Sequence, residues 1–115
     1  MIGRQNRFHG YNSLRHVYRN GQMVRGPLFA VKALENPRRG AYRAAIVVSR
    51  KVSKSAVDRN RMRRRLYAAV QEQSGHFSGP YDIVITVFND GVQAASPPEL
   101  AGQLKKQLKE LHIIK

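Results

Sequence analysis

Apolar and polar positions along this chain follow two rhythms, and the rhythm changes at clear punctuation. Leu28–Leu34 (LFAVKAL), Tyr42–Ser49 (YRAAIVVS) and Tyr81–Phe88 (YDIVITVF) are short runs rich in β-branched and aromatic residues. With the turn residues between and beside them, they predict three strands. Asn36–Gly40 and Asn89–Gly91 read as turns, and the first two runs are expected to pair as a hairpin. Gln22–Arg25 is a candidate fourth, shorter strand. Elsewhere the spacing is helical. Asn12 and Ser13 are cap residues ahead of Leu14, Val17 and Tyr18, giving a helix over about 13–19 that stops at Asn20-Gly21. Ser53 and Ser55 are candidate caps for a long helix over about 55–73, ended by Gly75 and Gly79-Pro80. Ser96-Pro97-Pro98-Glu99 combines a cap, first-turn prolines and an early acid. Leu100, Leu104, Leu108 and Leu111 then form one stripe on a helix over about 97–111. The order α-β-β-α-β-α describes an α/β two-layer sandwich, a small mixed sheet with helices packed on it.

The chain has 115 residues, 42% of them hydrophobic, and no cysteine. That length suits a single domain over residues 1–115, with 1–10 expected to be flexible. The lack of cysteine excludes disulfide scaffolds, Cys-ligated zinc and thiol catalysis. No apolar run approaches the roughly 18 residues of a membrane span. The opening MIGRQNRFHGYNS has no apolar stretch of the secretory kind, so a cytoplasmic protein without a membrane partner is expected.

Charge changes the picture most. The formal net charge is +14, which favours a polyanionic partner. Residues 1–65 carry 17 Lys or Arg against only Glu35 and Asp58, whereas residues 66–115 are almost neutral. Half of the net charge lies between Arg50 and Arg65. On a helix at about 100° per residue, Met62, Leu66, Ala69 and Val70 form the arc that packs on the sheet. Asn60, Arg61, Arg64 and Arg65 form the opposite arc, and Arg59 and Arg63 flank the apolar stripe. Guanidinium forks grip phosphate oxygens in pairs, and Asn60 can bond a phosphate, a 2′-hydroxyl or a base edge. An idle solvated face would mix both signs. A membrane-surface helix would need bulky apolar residues that this outer face lacks.

The run Ser49-Arg50-Lys51-Val52-Ser53-Lys54-Ser55-Ala56-Val57-Asp58-Arg59-Asn60-Arg61-Met62-Arg63-Arg64 resembles the signature of the bacterial ribonuclease P protein component: a basic pair after a strand, then an Arg-Asn-Arg core on a helix. Asn6-Arg7-Phe8, Leu14-Arg15-His16-Val17-Tyr18-Arg19-Asn20-Gly21 and Tyr81-Asp82-Ile83-Val84-Ile85 resemble further segments of that family, so nearly the whole chain is covered. The resemblance implies a fold like that of a ribosomal protein domain, with a left-handed βαβ crossover, an exception to the usual hand. It also implies a function. The protein would join one large catalytic RNA in a holoenzyme that removes the 5′ leader of precursor tRNA and leaves a 5′-phosphate. The RNA would hold the Mg2+ ions and do the chemistry. The isolated protein would have no catalytic residue, no metal site and no DNA partner.

Carried over by position, Arg50, Lys51, Lys54, Arg59, Asn60, Arg61, Arg63 and Arg64 would face the RNA subunit. The leader would lie between the first helix and the open sheet face, against Leu14, Tyr18, Lys32 and Phe29. Leu14 stands where the family more often has Phe, and Tyr67 where many relatives have a basic residue that a stacking ring could replace.

The residues themselves leave alternatives. The seven carboxylates are dispersed, and His9, His16, His76 and His112 show no ligand spacing, which argues against a protein-borne nuclease site. A ribosomal or general structural RNA-binding protein would share the charge and the fold. A helix-turn-helix DNA binder would need a short helix just before the basic one, where residues 43–49 read as strand. Tyr18 and Phe29 could also be core residues, a reading at least as good as the leader one for Phe29, whereas Tyr18, between Arg15 and Arg19, suits a wet RNA surface, and Lys32 in an apolar strand is unsuited to a dry core.

Overall fold

The computed structural model describes residues 6, 11–38 and 40–114, with 11–13 described by their backbone alone. The expectation of flexibility for residues 1–10 therefore lies outside them, except at Asn6, whose Nδ2 donates to the Tyr42 carbonyl at 2.8 Å. The elements are α1 (Tyr11–Asn20), β1 (Gln22–Arg25), β2 (Phe29–Glu35), β3 (Arg43–Val48), α2 (Ala56–Gln73), β4 (Tyr81–Val87) and α3 (Pro97–Glu110). Short 3₁₀ turns follow α2 at Ser74–His76 and β4 at Asp90–Val92.

The caps act as the sequence suggests. The Ser55 side chain accepts from the Asp58 N–H, and Ser96 accepts from the Glu99 N–H. At the end of α1 the chain turns into β1 at Gly21, whose N–H donates to Val17 O at 2.8 Å. A Cβ there would lie 2.7 Å from Val17 O and 2.8 Å from Ala33 O, so only glycine fits.

The sheet order is β1-β2-β4-β3. β1 and β4 both run antiparallel to β2, and β3 runs parallel to β4, the two being joined through α2. This corrects the expected hairpin, because β2 and β3 are separated by β4. Ile83, Val84 and Ile85 of β4 are buried on both of its faces, which suits a central strand. The loop from Asn36 to Tyr42 is long enough to step over the gap of about 9.5 Å that the intervening strand creates.

Alternation sorts the strands into two faces. Val31, Ala33, Ala44, Ile46, Val48, Ile83, Ile85 and Val87 face one side. There they form one core with Met62, Leu66 and Val70 of α2 and Leu100, Leu104 and Leu108 of α3. Sheet and α2/α3 layer together make the two-layer sandwich. Gln107 of α3 ties this layer to the β1–β2 turn, its Nε2 donating to Val24 O at 3.1 Å and Phe29 O at 3.0 Å.

The alternate residues face the other way, in three cross-strand rows: Met23–Lys32–Val84–Ala45, Arg25–Ala30–Thr86–Val47 and Leu34–Asp82–Arg43. Helix α1 packs across β2 and β4 and covers only part of this face. The third row is closed by a buried ion pair. Arg43 Nε and Nη2 donate to the two Asp82 carboxylate oxygens at 2.9 and 2.8 Å, and Asn36 Nδ2 donates to Asp82 Oδ2 at 2.9 Å. Both oxygens of a nearly inaccessible carboxylate are thereby engaged, Oδ2 twice, which fixes β3 and Asn36 on β4.

Candidate nucleic-acid interface

The first candidate surface starts where β3 ends. Arg50, Lys51 and Lys54 stand exposed on the turn over residues 49–55, directly ahead of α2. On the helix Asn60, Arg61 and Arg64 are exposed, and Arg59 and Arg63 are half-exposed along the flanks. The buried residues of α2 are Met62, Leu66, Ala69, Val70 and Gln73, the arc that periodicity assigned to the sheet. Arg59 is partly anchored, its Nη1 donating to Ser53 O at 2.9 Å. That bond fixes the basic turn against the first turns of the helix. All eight residues are thus exposed or half-exposed along the turn and the helix that follows it, with Asp58 as the acid among them.

Arg65 departs from the outward arc assigned to it. Its guanidinium donates to Val92 O and Gln93 O at 2.5 and 2.6 Å, and also to Ala95 O. It saturates three carbonyls of the segment leading into α3 and so braces the protein. Tyr67 packs half-buried against the core.

The second candidate surface is the open sheet face beside α1. Val17 is buried against the sheet, while Tyr18 on the same helix is 41% exposed. Lys32 Nζ donates to the Tyr18 carbonyl and lies 5.7 Å from the centroid of its ring. An aromatic ring and a cation therefore meet at one point of the groove, and Leu14, half-buried one turn earlier, extends the same helix. Phe29 does not belong there. It is fully buried (0% exposed) in the core on the opposite side of the sheet. The pleat decides this, because Phe29 has the parity of Val31 and Ala33, and Lys32 the parity of Ala30.

Three residues of this face were missed by the sequence reading. Met23 is the cross-strand partner of Lys32 and is 58% exposed. Arg25, two residues on, holds its Cζ 4.0 Å from the centre of the Phe88 ring. Their signal was available only in part: the i, i+2 spacing of Met23 and Arg25 puts them on one face, but nothing local says which strand lies beside them.

Among the described residues no three His, Asp or Glu side chains come together as metal ligands. Among them, too, no helix is long and apolar enough to cross a membrane.

The ribonuclease P family model matches residues 2–112, nearly the full chain. The chain belongs to the ribonuclease P protein family. Among relatives, the ribonuclease P protein component of Pseudanabaena sp. (strain PCC 6903) is 34% identical over 117 residues, covering 99% of this chain and 97% of that one. The RNase P protein of Staphylococcus aureus superposes with a TM-score of 0.82 at 21% identity, covering 96% of this chain and 98% of its own. That of Thermotoga maritima gives 0.74 at 21% identity, over 84% and 89%. At such identity the two structures speak for the fold. Family and fold agree, and the protein is a subunit of ribonuclease P, part of an endoribonuclease complex of tRNA processing.

Proposed function

We propose that the protein binds the catalytic RNA subunit of ribonuclease P through the α2 surface and the 5′ leader of precursor tRNA through the groove beside α1. The observation that carries this reading is the separation of two basic surfaces by the sheet itself. One is a dense arginine face on a rigid helix, suited to the folded backbone of a large RNA. The other is an open groove with a ring and a lysine side by side, suited to unpaired nucleotides. Arg50, Lys51, Lys54, Arg59, Asn60, Arg61, Arg63 and Arg64 serve the first, and Leu14, Tyr18 and Lys32 the second.

In this reading the protein contributes binding and positioning, which lowers the entropic cost of bringing the scissile bond to the reacting groups. The carboxylates lie apart along the chain, and the Mg2+ ions are held by the RNA, where the chemistry takes place in the cytoplasm. A ribosomal or general structural RNA binder would share the α2 face. The groove with Tyr18 and Lys32 favours the processing role, since a purely structural protein gains nothing from a site for a departing leader.

The test is reconstitution. Protein added to its cognate catalytic RNA at low magnesium should accelerate cleavage of precursor tRNA at the 5′ end of the mature sequence. RNA-free protein should cleave nothing. Magnesium-dependent cleavage by RNA-free protein that is abolished by a single histidine substitution would overturn the reading, as would a lack of any effect on the RNA-catalysed reaction.

A further inference from the structure

The groove continues past Lys32. Met23 is the strand partner of Lys32, and Arg25 stands two residues farther along β1 on the same face, about 6.6 Å away at the usual strand rise. Ala30 and Thr86 are the small side chains that continue the row starting at Arg25. Phe88 follows Thr86 at strand spacing, half-buried beside β4. The Arg25 guanidinium rests over its ring with Cζ 4.0 Å from the centroid, which is contact distance for a stacked cation. Arg25 is exposed and, among the described residues, forms no ion pair with a carboxylate. One face of the guanidinium thus rests on Phe88, while the residue as a whole stays exposed.

We propose that Arg25, held flat on Phe88, is a second stacking station for single-stranded RNA, one pleat beyond the Tyr18–Lys32 pair. This rests on the reading of the groove as the leader site. A base stacks on the free guanidinium plane, and the fork's N–H groups reach the adjoining phosphate. Phe88 is a positioning residue: it keeps the plane in place and so removes the rotamer entropy that a free arginine would lose on binding. Stacking on a guanidinium reads no base identity, so the station extends the leader footprint without sequence preference. The competing explanation is that Arg25 merely protects the exposed edge of β1 from pairing with another chain.

The experiment uses the holoenzyme reconstituted with the cognate catalytic RNA and precursor tRNAs whose leaders grow one nucleotide at a time. For the wild type, affinity rises with leader length until both stations are filled. With Arg25→Ala or Phe88→Ala the rise ends earlier, and long leaders bind roughly 5- to 150-fold more weakly, whereas short leaders are unaffected. Arg25→Lys keeps the charge, the edge protection and the salt dependence, yet shows most of the same loss. Phe88→Tyr restores the platform and the affinity. If Arg25→Lys and Phe88→Ala bind long leaders like the wild type while Tyr18→Ala and Lys32→Ala do not, the second station is wrong and the groove stands. If none of the four changes leader binding, the groove reading itself falls and the station with it. Thermal melts of the free variants separate either result from a folding defect.

Discussion

The arginine face of α2 and the open groove beside α1 are both basic, yet they are built in opposite ways. The α2 face lies on one helix within one short run of sequence, and its shape follows from 3.6-residue periodicity everywhere but at Arg65. The groove takes Tyr18 from α1, Lys32 from β2, Met23 and Arg25 from β1, and Thr86 and Phe88 from β4 and the residue after it. No stretch of sequence contains it, and the strand order assembles it. A surface made by local periodicity can change one residue at a time, whereas a surface made by topology depends on every register that feeds it.

The comparison can be broken first at the parity of β2. Phe29 and Lys32 are three residues apart and lie on opposite faces of the sheet. Phe29→Ala should cost about 3–5 kcal/mol of stability through the core cavity it leaves, read as a large drop in melting temperature. In protein that remains folded, discrimination between leader-bearing and mature tRNA should be unchanged. Selective loss of leader binding would put Phe29 in the groove.

The next effect belongs to α2. Arg59, Arg61 and Arg64 changed together to Ala should weaken RNA-subunit binding by on the order of a hundredfold and lower the salt slope by roughly 0.7–0.9 per lost phosphate contact. Circular dichroism should show an intact fold. Arg65→Ala, one residue away, should do the reverse: it should lose about 1–3 kcal/mol of stability by leaving carbonyls unpaired while keeping the salt slope. Equal behaviour of the two variants would erase the distinction between the outward arginines and the brace.

A smaller effect is expected in the groove. Tyr18→Ala combined with Lys32→Ala should lose about 1–3 kcal/mol of stacking, plus a salt-sensitive part, for leader-bearing precursor only. Equal loss for mature tRNA, measured by filter binding, would remove the pair from the leader site.

The smallest effect is one of pH. Burial raises the Tyr42 hydroxyl above its usual 10.0, against a lowering contribution from its hydrogen bond with Ser74. A raised folded-state value means stability that is fully present below about pH 10 and is lost as pH climbs through that raised value. Tyr42→Phe keeps a ring to face Phe77, now 5.2 Å away at 81°. It should flatten the decline in melting temperature above pH 10, and an unchanged slope would exclude Tyr42 as the source.

What was legible in the sequence follows the same division. The helices, the caps at Ser55 and Ser96 and the buried arc of α2 could be read because each depends on neighbours within a turn or two. Even there, Arg65 could not be told from Arg64, since its carbonyl partners lie 27 to 30 residues away. The strands were legible as strands but not as a sheet. An apolar run such as YDIVITVF announces burial on both faces, yet it was the insertion of β4 between β2 and β3 that turned an expected hairpin into a crossover. Lys32 was found because a lysine is conspicuous among apolar residues. Arg25 and Phe88 were not found, because each is ordinary in its own segment and significant only beside the other.

That inserted strand also sets an order of events during synthesis. β3 ends at Val48, but its neighbour β4 is complete only at Val87. At about 5–20 residues per second, a ribosome needs several seconds to bridge that interval. By then 17 of the 21 basic residues have already been made, while the apolar arc of α2 has no finished sheet to rest on. Charge precedes architecture in this chain. A nascent or truncated product ending before Tyr81 is a polycation whose two basic surfaces are not yet held in a fixed relation. That relation is set only when β4 has entered the sheet between β2 and β3 and α3 has closed the core behind it.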